Sequence, residues 1–225
     1  METHCCVVAY HLGILARGVV VDFNLVWKFL ASFLIGSIPF AKVAMLGTGI
    51  DITHVGSKNP GFNNVLRVSS KWRAAIALIG DISKGYVAIL LLSPSQPSWI
   101  IGIAAVMGHC WSPFLRFNGG KGVATTVGAL LRLEPRITII CLPLYVVFRI
   151  VGRRANWRQE GAIASLTTMA VIAAILGGFA YVLLGIVTLR HMSNLRDIMA
   201  SRHESRSERS KSQSGDVQAV PRQSR

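Results

Sequence analysis

Residues 117–125 read FNGGKGVAT, a cationic, glycine-rich stretch set between apolar runs. Glycines let a backbone approach a ligand closely, and Lys121 adds a compact, mobile positive charge. A helix beginning near Val123 aims its free N–H groups back at the same place. The combination suits an anion, above all a phosphate. It is not a nucleotide-binding loop of the G-x-x-x-x-G-K-[ST] type, because Leu115 stands five residues before Gly120 and Gly122 follows the lysine.

Two further polar stretches carry compatible chemistry. In GIDITHVGSKNPGFNNVLR (49–67), Gly56, Pro60 and Gly61 forbid regular helix, while Ser57, Asn59, Asn63 and Asn64 supply short polar side chains. Arg67 stands where helical sequence resumes and is able to grip a phosphate bidentately. In LRHMSNLRD (189–197), His191 and Asn194 lie three apart on one helix face, with Arg190 beside them. Imidazole titrates near neutral pH, which makes His191 the protein's candidate base. Asp81 and Lys84 in DISKG are an ionisable pair in apolar sequence, read as an internal salt bridge. No paired carboxylates or serine triad accompany these loops; the nearby acids are Asp51, Asp81, Glu160 and Asp197. The cysteines (Cys5, Cys6, Cys110, Cys141) show neither CxxC nor Cys/His spacing, so no metal site or disulfide framework is expected.

The elements that must position these loops belong to a membrane bundle. The chain of 225 residues is 52% hydrophobic and only 15% charged, with its charges in short clusters between long apolar runs. The net charge of +14 does not signal nucleic acid, since no basic residues interleave with aromatics on a soluble platform. Eight of the 24 Lys and Arg lie at or beyond Arg190, so the basicity is topological, with anionic lipid headgroups as neighbours. Apolar segments at about 25–46, 73–92, 98–115, 122–133, 137–150, 161–176 and 178–190 predict an all-α, polytopic bundle of about seven transmembrane helices. The later segments are short and read as tilted or partial spans. Pro39 predicts a kink in the first, and Gly177-Gly178 a tight turn in the last apolar stretch.

Placing 47–72, 109–121, 149–160 and the chain after 190 on one side collects most Lys and Arg there. The loops opposite hold SPSQP and the glycine pair, without charge, and RLEP, with Arg132. The positive-inside rule then puts the rich side in the cytoplasm, the N-terminus outside and the C-terminus inside. Residues 1–23 read as an N-terminal extension too short for a span, 24–199 as the bundle, and 200–225 as a basic, disordered tail with almost nothing to bury. The three polar stretches then meet at the cytoplasmic headgroup level.

In chain order, GSIPFAKV, DITHVGSKNPGFNNVLR, DISKG, GHCWSPFLRFNGGKGVAT and RHMSN resemble the motifs of the bacterial acyl-phosphate:glycerol-3-phosphate acyltransferase family, from about Leu25 to Ala200. The resemblance implies a seven-span enzyme of the bacterial inner membrane with a cytoplasmic site. It implies substrates acyl phosphate and glycerol 3-phosphate, lysophosphatidic acid as product, no cofactor, and compatibility with a soluble acyl-phosphate-forming enzyme as partner. Carried over residue by residue, it implies catalytic roles for Lys121, His191, Ser57 and Asn194, with either His191 or the donor's own phosphate as the base for the glycerol hydroxyl. Asn59, Gly61, Asn64, Arg67, His109, Gly119, Gly120 and Ser165 become substrate contacts. The first loop departs from the family pattern G-S-G-N-x-G-[AS]-[TS]-N: Lys58, Phe62 and Asn63 replace a glycine, a small residue and usually a hydroxyl. Thr53 stands where an arginine is common, and Ala162 where a serine is, Ser165 following it.

The competing reading is a transporter of a small phosphorylated or other anionic solute, which glycine-broken helices and buried charges would suit. Against it, no internal repeat of half the chain is visible, and the polar residues gather on one face. The topology is open to test: a cysteine placed at Ser95 should label from outside and one at Gln159 from inside with an impermeant thiol reagent. Labelling of both from one side would overturn the seven-span arrangement.

Overall fold

Pro39 divides the first apolar run in two. In a computed structural model, which describes residues 23–95, 98–155 and 160–192, helix α1 (Phe23–Ser37) stops before the proline and α2 (Phe40–Ala44) starts after it. The ring cannot donate a backbone hydrogen bond and restricts the residue before it, so the helix breaks at Ile38. Beyond α2 come α3 (Phe62–Val68), α4 (Lys71–Leu92), α5 (Trp99–Cys110), α6 (Val123–Leu133), α7 (Pro135–Arg154), α8 (Glu160–Leu176) and α9 (Phe179–Met192). No strand occurs among the described residues.

Each of the seven apolar segments is helical. By length and composition α1 with α2, α4 and α7 suffice to cross a membrane, whereas α5, α6, α8 and α9 are shorter. The third segment ends earlier than its hydropathy suggests. Pro113 halts α5 at Cys110, leaving a single 3-10 turn over Pro113–Leu115. α7 runs further than its apolar stretch at both ends, beginning on Pro135, where the missing N–H costs nothing. Gly177 and Gly178 make the expected turn with φ of +67° and +45°.

Small residues set the helix spacing. A Cβ on Gly36 would enter the backbone of Ala105, and one on Gly108 that of Phe33, so α1 and α5 touch main chain to main chain. α4 meets α6 in the same way, through Gly85 against Thr125 and Gly128 against Ile82. Ile103, Val106, Leu130, Met169, Ile172 and Leu183 fill the space between α5, α6, α8 and α9. Leu34, Ile79, Leu91, Ile139 and Ile140 point outwards, giving the apolar exterior that a bilayer requires.

The helix break frees carbonyls, and distant side chains collect them. Ser112 Oγ donates to Ser37 O at 2.6 Å, and Lys84 Nζ to Ile38 O at 2.9 Å. Lys84 also forms the expected salt bridge with Asp81 at 2.8 Å, and His109 Nδ1 joins it from α5, 3.4 Å from the same Asp81 oxygen. All three side chains are buried. Removing one member of a buried pair leaves an uncompensated charge, worth roughly 3–5 kcal/mol. Lys84→Ala should therefore lower the unfolding midpoint in detergent by that margin, and Asp81→Asn added to Lys84→Met should recover at least half. Additive losses in the double variant would show that the pair is not the source.

Candidate functional site

After the 3-10 turn the chain reverses through Arg116 and Phe117, both at positive φ, and doubles back on the end of α5. Gly119 N–H donates to Cys110 O and Gly120 N–H to His109 O, each at 3.1 Å. A Cβ on Gly119 would enter the His109 carbonyl, and one on Gly120 the His109 ring. The N–H groups of Gly119 and Gly120, both expected among the substrate contacts, are thus engaged inside the protein. Gly119 thus allows a close approach of backbone to backbone, and Gly120 one of backbone to the His109 ring. His109, also expected to contact substrate, is enclosed between Asp81 and this loop.

Free donors begin one residue later. Among the described residues, the N–H groups of Lys121, Gly122, Val123, Ala124 and Thr125 have no acceptor. Gly122, at φ +84°, turns the chain into α6 and so aims this helix start. Lys121 lies within electrostatic reach of Arg67 and of His191. Burial, and then the like charge of Arg67, push the Lys121 amine below the usual lysine range.

His191 is buried on α9. Its Nδ1 lies 2.8 Å from Val187 O, and a carbonyl only accepts, so Nδ1 carries the proton and the neutral ring keeps Nε2 bare. Ser165 Oγ of α8 is 3.3 Å from that Nε2. The same hydroxyl is 2.9 Å from Gly161 O and 3.0 Å from Ala162 O. One proton serves one acceptor at a time, so Ser165 can release the imidazole and fall back on its own helix.

The first polar stretch is a self-bonded loop. Asp51 Oδ1 accepts from Thr53 N–H at 3.0 Å and from Thr53 Oγ1 at 2.7 Å, and these bonds hold its carboxyl down at about 2. Asn64, expected as a substrate contact, is 1% exposed. Its Nδ2 donates to Ile52 O and Val55 O, and its Oδ1 accepts from Ser57 N–H at 2.8 Å. The amide is used up within the loop. Ser57 and Asn59 are half-buried, Gly61 is the extended residue from which α3 starts, and Arg67 is exposed in the last turn of α3. Asn63, a departure from the family pattern, accepts from Arg149 Nη2 at 3.2 Å, and Arg149 pairs with Glu160 at 3.3 Å, tying α3 to α7 and α8. Asn194 lies outside the described residues, as do the N-terminal extension and the tail.

Sequence reasoning left Arg190 without a task. Its Nη2 donates to Asn118 Oδ1 at 2.6 Å and Gly119 O at 2.8 Å, and its Nε to Gly120 O at 3.2 Å. The signal available was its place beside His191, one helical step round the same helix.

Residues 26–201 match the family model described as glycerol-3-phosphate acyltransferase. Similar curated proteins bear the same name. That of Laribacter hongkongensis is 33% identical over 75% of this chain and 90% of its own length. That of Neisseria gonorrhoeae (strain NCCP11945) is 38% identical with the same coverage. That of Pseudomonas aeruginosa (strain LESB58) is 32% identical over 79% of this chain and 98% of its own. Among solved structures, PlsY (YgiH), an integral membrane glycerol 3-phosphate acyltransferase, aligns in its glycerol 3-phosphate form with a TM-score of 0.67 at 26% identity, covering 79% of this chain and 93% of that one. Its lysophosphatidic acid form gives 0.64.

Lys58 has φ +57°, which explains the glycine of the family pattern at this place. Lys58→Gly should raise the unfolding midpoint, by about 0.5–1 kcal/mol of stability after the entropy cost of glycine. An unchanged or lower midpoint would mean that contacts of the lysine outweigh its backbone strain.

Proposed function

This chain belongs to the glycerol-3-phosphate acyltransferase family, and from that premise we propose that its acyl donor is an acyl phosphate, used at the cytoplasmic face of the inner membrane. The chain is a bacterial membrane acyltransferase of phospholipid synthesis, forming lysophosphatidic acid from glycerol 3-phosphate. That membership removes the transporter alternative. Seven crossings with the N-terminus outside are the arrangement in which the polar loops share the cytoplasmic side, and the domain at 24–199 carries all of them.

What supports the reading is that Lys121, next to the glycine from which α6 starts, is partly buried and within electrostatic reach of both Arg67 and His191. Two phosphate-bearing molecules repel each other, and the site must compensate both. Arg67, with Ser57 and Asn59, holds the phosphate of glycerol 3-phosphate, while Asn64 positions that loop. Lys121 and the free N–H groups of α6 hold the donor phosphate, whose charge grows as it leaves. His191 Nε2 takes the proton of the glycerol hydroxyl while Ser165 retreats to its helix carbonyls. The hydroxyl oxygen bonds the acyl carbon, the carbon–oxygen bond of the mixed anhydride breaks, and the proton passes to the released phosphate. A mixed anhydride is already activated, so the path needs no acyl-enzyme. Asn194, three residues after His191, takes its catalytic role from the family motif alone. The donor is labile and amphiphilic, which favours supply by a soluble acyl-phosphate-forming enzyme at the same face.

Purified protein in lipid, given radiolabelled glycerol 3-phosphate, should form product with acyl phosphate and not with acyl-CoA; turnover with acyl-CoA alone would sink the donor assignment. Lys121→Ala should fold and insert yet lose about 30- to 1000-fold in turnover, the value of one charge-assisted contact of roughly 2–4 kcal/mol. Lys121→Arg should recover only part of it. Near-normal turnover for Lys121→Ala would end the phosphate-site reading.

A further inference from the structure

The glycine loop is held from two sides, and the second side has no assigned purpose. From α5, the carbonyls of Cys110 and His109 take the N–H groups of Gly119 and Gly120. From α9, the Arg190 guanidinium takes Asn118 Oδ1 and the carbonyls of Gly119 and Gly120. Three acceptors on successive residues are met by one planar fork, a geometry that a lysine ammonium on its flexible stem does not reproduce.

The last of these bonds has a directional consequence. In a trans peptide the carbonyl and the following N–H point in opposite senses. Drawing Gly120 O towards Arg190 therefore turns the N–H of Lys121 away from α9, to the side on which it has no acceptor among the described residues. Arg190 also precedes His191 on the same helix. Whatever fixes the loop to Arg190 fixes the spacing between Lys121 and the imidazole.

We propose that Arg190 is a positioning residue, a clamp on the carbonyl side of residues 118–120 that presents Lys121 to the reacting phosphate in register with His191. The idea rests on the role given above to Lys121, but the clamp itself can be judged without turnover.

The test compares Arg190→Ala, Arg190→Lys, Asn118→Ala and the double variant Arg190→Ala/Asn118→Ala, each in lipid. Hydrogen exchange over 117–123, without substrate, should speed up by about tenfold or more at Gly119 and Gly120 in Arg190→Ala, with α4 unchanged. In the assay, kcat should fall about 10- to 100-fold while KM for glycerol 3-phosphate stays within about threefold, and added guanidinium should restore part of the loss in Arg190→Ala. Arg190→Lys should resemble Arg190→Ala. Because both residues act through one loop, Asn118→Ala should add little in the Arg190→Ala background. Unaltered exchange at 118–120 would overturn the clamp. So would a rise in KM with kcat preserved and additive double-variant losses, the pattern of an arginine that holds substrate directly. A wild-type protein with no acyltransferase activity would instead dismiss the proposed function, leaving exchange to decide on the clamp.

Discussion

A cation buried among apolar helices is tolerated only where it finds an opposite charge and hydrogen-bond acceptors, and Lys84 finds both at the place where α1 is broken. Pro39 frees backbone carbonyls in the interior; Lys84 takes that of Ile38 and, with Asp81, neutralises itself. His109 completes the cluster and is also the floor on which the glycine loop rests. Break, ion pair and loop are thus one construction: α1 ends where α4 can satisfy it, and α5 ends where its last residues can receive residues 119 and 120. A change at any of the three would be felt at Lys121.

The chemistry proposed for the site draws on the groups this construction leaves over. Satisfied backbone positions give rigidity, and unsatisfied ones give binding. Gly119 and Gly120 lie on the rigid side, with both their N–H and C=O groups engaged; the N–H groups from Lys121 to Thr125 have no acceptor among the described residues. The same division runs through the first loop, where Asn64 is consumed in holding Ser57 while Arg67 is left exposed. In the last helix the Val187 carbonyl fixes the tautomer of His191 and leaves the unprotonated Nε2 towards Ser165.

Departures from the family pattern have local compensations. Asn63, in place of a hydroxyl, accepts from Arg149, and the arginine is neutralised by Glu160, so Arg149 braces α3 against α8. Thr53 closes the Asp51 turn in place of a longer basic side chain. Lys58 has no such compensation in its backbone, which keeps a left-handed conformation.

Hydropathy alone determined the seven helical segments, because an apolar run of that length has no stable alternative in lipid. Pro39 and Gly177-Gly178 announced their breaks, since a missing N–H and a missing Cβ act on the chain locally. The polar stretches that could meet an anion were legible for the same reason: their residue types are chemical facts that need no neighbours. What the tertiary structure decided is which of these groups remain available. Asn64, His109, Gly119 and Gly120 read as substrate contacts in the sequence, and each has polar groups engaged inside the protein. Arg190 looked incidental, and its guanidinium grips a loop some seventy residues away in sequence. A hydrogen-bonding group is free only if no partner is near it in space, and nearness in space is what the linear order of residues does not contain.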